Sequence, residues 1–166
     1  MNLITLHDNA EKLAKWRKFG YGQNGTWRLT QVIPYKGTKT LLCQAVCNGE
    51  TVEAEHVSNI QFLNIKFFDE PPSDGEYGTV EYKEEKYYYV KPTLENDVKI
   101  RCSCPDFTYR SAYWAWKAKV IFGGMPKPYK RKTKGKRKPV NPLRIPFSCK
   151  HIHQMQALVR TEGYTN

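Results

Sequence analysis

Apolar residues recur along this chain at two spacings, and each spacing marks a set of elements. TWRLTQVIPY (26–35) and TKTLLCQAVC (38–47) alternate with a period of two and read as strands joined by a turn at Lys36 and Gly37. ETVEAEHV (50–57) follows Asn48 and Gly49 as a third. Ahead of them Asp8 stands where it would cap a helix over 9–19, with Leu13, Trp16 and Phe19 on one face and Gly20 as the stop. Residues 59–68 are ambiguous. The turn-forming cluster Pro71, Pro72, Ser73, Asp74 and Gly75 marks a boundary, separating an N-terminal helix plus antiparallel β subdomain (1–75) from a second unit (76–166).

Beyond that boundary, GTVEYKEEKYYYVKP predicts a hairpin turning at Lys83 to Glu85, and VKIRCSC a strand after a turn at Glu95 and Asn96. Asp106, after Pro105, is placed to cap a helix over 107–121 that stops at Gly123 and Gly124. Trp114 and Trp116 stand about 200° apart on it, so both indoles are buried only if the helix is sandwiched or one face meets a partner. Residues 126–146 are rich in Pro, Lys and Arg without apolar periodicity and read as an extended loop. SCKHIHQMQALVR then restarts a helix, with Ser148 as cap and Ile152, Met155 and Val159 facing inward. The expected fold class is α+β.

Composition narrows the class. With 166 residues, 40% of them hydrophobic and 13% aromatic, the chain can bury an ordinary core in one domain or two small ones. No stretch approaches the roughly 18 consecutive apolar residues of a membrane span, and MNLITLHDNAEK lacks the layout of a signal peptide. A soluble, unsecreted protein without a membrane partner is expected. Five cysteines in a reducing compartment argue against a disulfide framework and for metal binding by the clustered thiols.

The net charge of +11 is unevenly spread. Between Asp106 and Glu162 there are fourteen Lys and Arg and no acidic residue, whereas the remainder holds 13 basic and 16 acidic side chains. The C-terminal half therefore suits an anionic partner, nucleic acid or an acidic protein surface.

The chemistry concentrates there as well. A structural metal site takes four soft or borderline ligands, usually as two close pairs from separate elements. Cys102 and Cys104 flank Ser103 at a strand end, where Pro105 stops regular pairing and lets both sulfurs turn toward one point. Cys149 and His151 open a helix, whose exposed N–H groups favour thiolate. One structural zinc ion is expected on Cys102, Cys104, Cys149 and His151, with His153 the competitor for the fourth position. Cys43 and Cys47 share one side of a strand and read as buried thiols, and His7 and His56 show no partner.

This Cys-x-Cys, followed far downstream by Cys-x-His on strand and helix, resembles the SWIM-type zinc finger over about residues 78–160. YYYVKPTLENDVKIRCSCPDF fits its strand pair and SCKHIHQMQAL its helix, while the 44 residues between Cys104 and Cys149 form a helical and basic-loop insertion (107–146). The resemblance implies a SWIM-like strand–strand–helix zinc module. CSCPDF, the aromatic helix, PYKRKT and the NP…P…CKH ending are similar to small SWIM-bearing proteins of large tailed bacteriophages. That similarity implies a non-enzymatic structural or assembly protein, a minor virion component assembled in the host cytoplasm and acting through protein contacts.

The contact residues expected for a protein partner, or for nucleic acid as the alternative, are Trp114, Trp116, Tyr129, Lys130, Arg131, Lys132, Lys134, Lys136, Arg137 and Lys138. Thr133, Gly135 and the flanking prolines keep this run from forming a groove-reading helix. A third and distant reading is a nuclease, from Asp74 followed by Glu81, Tyr82 and Lys83. Four protein ligands leave no open metal position, and the carboxylates lie away from the metal pair, so no enzyme is expected.

Overall fold

The computed structural model describes residues 1–14, 25–48, 55–127 and 141–166. In chain order the elements are α1 (Leu3–Lys12), β1 (Thr26–Tyr35), β2 (Thr40–Asn48), β3 (Glu55–Phe62), β4 (Phe67–Phe68), β5 (Tyr77–Tyr82), β6 (Glu85–Val90), β7 (Val98–Cys102), a π-helical turn (Phe107–Ser111), α2 (Ala112–Lys117) and α3 (Lys150–Thr161). The fold is α+β, with antiparallel sheets and a few helices.

β1, β2, β3 and β7 form a four-stranded antiparallel sheet in that order. β7 lies beyond the turn cluster at 71–75, so the units expected on either side of residue 75 share this sheet. Residues paired across antiparallel strands share a face, and the register builds that face in rows. Leu41, Phe62 and Val98 make one row; Val32, Cys43, Ile60 and Ile100 the next; then come Leu29, Ala45, Ser58 and Cys102, and at the end Trp27, Cys47 and His56. α3 packs across it with Ile152, Met155 and Val159 fully buried. This is the period-two pattern of the strands meeting the helical period of 152, 155 and 159.

The second sheet is three-stranded, in the order β4-β6-β5. Its hairpin turns at Lys83 and Glu84, both left-handed (φ 53° and 65°) as a two-residue turn between twisted strands requires. Gly78 faces Tyr89 across it. A Cβ at 78 would meet Tyr89 Cε2 at 2.6 Å, so the glycine makes room for that ring.

Several boundaries differ from expectation. The first helix is Leu3–Lys12 rather than 9–19: Asn2, not Asp8, caps it by accepting from the Thr5 N–H at 2.9 Å, and Leu3, Leu6 and Ala10 form the buried stripe. Leu13 is buried just past its end, while Trp16, Phe19 and Gly20 lie outside the described residues. β2 begins at Thr40, because Lys36–Thr38 form a 3-10 turn and Lys39 is left-handed. The third strand runs later than 50–57: β3 ends at Phe62, residues 59–62 belong to it, and 50–54 lie outside the described residues.

The helix expected over 107–121 is helical from Pro105, passes through the π turn and stops at Lys117. Lys119 turns left-handed, and the chain then docks on β7, with Ile100 N–H donating to Val120 O at 2.8 Å and Phe122 N–H to Ile100 O at 3.0 Å. Burying Val120 and Ile121 against the sheet outweighs another helical turn. No described helix is long and apolar enough to cross a membrane.

Candidate metal centre

The end of β7 and the start of α3 meet at the row nearest Trp27 and His56. There one donor atom from each of Cys102, Cys104, Cys149 and His151 lies within 4.8 Å of every other, and all four residues are buried. This is the set read from the sequence, brought together from two segments 44 residues apart.

Each pair is aimed by its local backbone. Cys102 ends β7, opposite Ser58, whose hydroxyl donates to its Sγ at 3.3 Å. The backbone then curls, so that Cys104 N–H points at Cys102 Sγ (3.4 Å) and Phe107 N–H at Cys104 Sγ (3.3 Å). Cys104 thus accepts at the helix start where Asp106 was expected to. Asp106 is already helical and pairs instead with Arg110 at 3.5 Å.

The other pair is delivered by polar pins on the approach to α3. Ser111 Oγ donates to Phe147 O (2.7 Å) and accepts from Phe147 N–H (2.9 Å), and Ser148 N–H donates to Leu6 O at 3.1 Å. Asn9 donates to Pro146 O at 2.9 Å. Cys149 is the N-cap of α3, without a side-chain cap hydrogen bond; Ser148, expected in that role, sends its hydroxyl to Leu6 O.

The donor set fits a metal cation. His151 Nδ1 is buried with no hydrogen-bond partner, a state that costs about 1–3 kcal/mol unless something bonds the nitrogen. The three sulfurs are hydrogen-bonded to one another. Cys102 is pulled down to about 4 because its Sγ accepts from the Cys104 and Cys149 thiols, while full burial pushes Cys149 well up. One thiolate forms readily; three so close need a compensating positive charge, which a coordinated cation supplies while removing the remaining protons. Metal–sulfur bonds of about 2.3 Å hold tetrahedral donors roughly 3.5–3.9 Å apart, so the four need only close slightly around an ion. They can hold a metal ion.

His153 is not part of the cluster. One turn position on, it is exposed and its Nδ1 lies 3.3 Å from His7 Nε2, with the ring centroids 4.4 Å apart. His7, read from sequence as having no partner, therefore has one. We expect His151→Ala to lose the metal and His153→Ala to retain it, read as metal per chain by elemental analysis. Equal retention in both variants would exclude His151 as a ligand.

The His7 contact also carries a pH dependence. Burial, helped by neighbouring His153, lowers His7 from 6.5 to about 4. The unfolded chain then binds more protons between these values, so this contribution to stability is complete above pH 6.5 and is lost as pH falls toward 4. His7→Gln should flatten the fall in melting temperature over that window. An unchanged slope would refute the assignment.

Sequence reasoning missed the shell around the ligands. His56 and Trp27 pack on His151, with ring centroids at 4.7 and 5.6 Å, and His56 is kept below its ordinary pKa by burial and then by His151. The signal was the period-two parity of His56 with Ser58, Ile60 and Phe62, which puts it on the core face beside Cys47. Cys43 and Cys47 are buried thiols as expected, Cys43 being pushed up to about 12 by burial.

Of the expected contact residues, Trp114 is half-buried and Trp116 exposed, and both border one groove. Tyr129, Lys130, Arg131, Lys132, Lys134, Lys136, Arg137 and Lys138 lie outside the described residues. Asp74, Glu81 and Lys83 are exposed, and among the described residues the Cys/His set is the one group of this kind within reach of a metal. No protein-family model matches this chain, and neither a curated protein nor a solved structure matches it.

Proposed function

We propose that this chain is a non-enzymatic assembly protein whose C-terminal half is a SWIM-type module clamped by one structural zinc ion on Cys102, Cys104, Cys149 and His151. The observation that carries the reading is the convergence of four buried soft and borderline donors, three sulfurs and one imidazole nitrogen. Thiolate and imidazole in a four-donor arrangement suit zinc over calcium or magnesium, which take oxygen ligands. A four-ligand site leaves no position for an activated water, so the ion holds rather than reacts.

What it would hold is the junction of the sheet with the C-terminal helix. Three thiolates and Zn2+ sum to one negative charge, and the α3 N-terminus and Lys150 sit beside it to offset that charge. Partners are other proteins of an assembly with acidic surfaces, and the acid-free stretch between Asp106 and Glu162 suits an anionic partner of either kind, protein or nucleic acid. The resemblance to SWIM-bearing proteins of tailed phages makes a minor virion component the specific form of this reading.

Elemental analysis of the chain purified without chelator tests the clamp, with one zinc per chain expected and none sinking it. Purified particles tests the setting: a fixed small copy number is expected, and presence only in the lysate would remove the virion role.

A further inference from the structure

On the side of the molecule carrying α2, the π turn and the following loop border a groove of about 580 Å³. Its rim is aromatic and cationic: Tyr109, Tyr113, Trp116 and Met125 beside Arg110 and Lys117. Tyr109 is 52% exposed, Trp116 37% and Met125 55%, an unusual concentration of large apolar side chains in water. The rings form one continuous set. Tyr113 packs edge-on to Trp114 at 5.2 Å and lies 6.0 Å from Trp116, and the Lys117 ammonium sits 5.6 Å from the Tyr113 centroid. The groove lining and the Cys/His cluster share no residue.

We infer that this groove binds single-stranded nucleic acid, with bases stacked on Trp116 and Tyr109 and the phosphate backbone held by Lys117. The chemistry is complementary on both counts. A π face accepts any base, and an exposed ring beside a cation offers the two contacts a nucleotide needs. The charge is one-sided: no acidic residue occurs from 107 to 161, and Asp106, the nearest in sequence, is occupied by Arg110. An aliphatic knob from a protein partner would favour a Leu- and Ile-lined cleft, and of the groove residues only Met125 is aliphatic. Duplex is disfavoured because its bases are stacked away from the rings. A ring face stacks on any base alike, so the binding is sequence-independent.

The test uses the full chain, shown to contain its metal, and a fluorescein-labelled oligothymidylate of about 20 nucleotides, with anisotropy followed over a range of salt. Binding that weakens steeply with salt is expected. Trp116→Ala should lower affinity about ten-fold and Tyr109→Ala by a similar factor, with Trp116→Phe recovering most of the loss. Both side chains are exposed, so folding is retained. Lys117→Glu should shallow the salt slope.

Affinity unchanged in Trp116→Ala and Tyr109→Ala, or equal binding of an abasic strand of the same length, would overturn stacking in the groove. Binding of polyglutamate but not of oligothymidylate would overturn the proposal in favour of an acidic protein partner. Because metal content is measured on the same samples, failure here leaves the zinc assignment standing, and loss of zinc is read separately.

Discussion

Cys149→Ser, or removal of the metal by a strong chelator, is expected to undock α3 from the four-stranded sheet and unfold the C-terminal half. Cys149 is fully buried at the helix N-terminus, and the other three donors gather around it. The structural zinc proposed for this site would contribute about 10–16 kcal/mol of apparent binding energy at neutral pH, as large as the whole stability of about 5–15 kcal/mol typical of a domain. The apolar contacts of Ile152, Met155 and Val159 remain after metal loss and offset part of the cost. The ionisable thiols stay behind in a site built for a cation. A net loss of about 5 kcal/mol or more lowers the melting temperature by roughly 10–20 °C for a chain of this size. Calorimetry with and without chelator, and of the variant, reads this directly. A midpoint unmoved by both would mean that the cluster is packed thiols and that no metal stabilises the fold.

The second large effect belongs to Tyr89, which is not one of the four clustered donors. Its side chain is fully buried, packs 6.1 Å from Phe67, covers Gly78 and donates its hydroxyl to Tyr164 O at 3.2 Å, tying the three-stranded sheet to the end of the chain. Tyr89→Ala should cost about 3–5 kcal/mol, since the ring's contacts are lost and the cavity cannot fully collapse. Tyr89→Phe keeps the ring and should cost about 1 kcal/mol for the hydrogen bond. Gly78→Ala forces a methyl group toward a ring that cannot swing away and should cost about 1–3 kcal/mol. Urea denaturation orders the three variants. If Tyr89→Phe proves as damaging as Tyr89→Ala, the hydroxyl and not the packing is what holds the second sheet.

Much of the site was legible because its constraints are local. Cys102 and Cys104 must turn within three residues, and Pro105 and the helix start that follows are written next to them; Cys149 and His151 likewise sit where an apolar helical stripe begins. The hairpin turning at Lys83 and Glu84, and the inward set Ile152, Met155 and Val159, follow from short-range periodicity in the same way. Helix ends were less legible. The first was misplaced because Asp8 and Asn2 are both good caps and only the burial of Leu3 and Leu6 decides between them. The second ended early because Val120 and Ile121 had a sheet edge to join, and no local signal announces that edge.

By itself, then, the sequence determined the α+β class, the two Cys/His pairs that come together and the separation of charge, all of which rest on residue type and spacing within a few positions. Tertiary structure alone decided that α3 crosses the sheet so that His151 turns into the cluster while His153 turns out to His7, that His56 and Trp27 pack against the His151 imidazole, and that β7 joins β3 across the turn cluster. These follow from strand register and helix placement, which are settled by summing many weak contacts between residues far apart in the chain. No single stretch of sequence holds that sum.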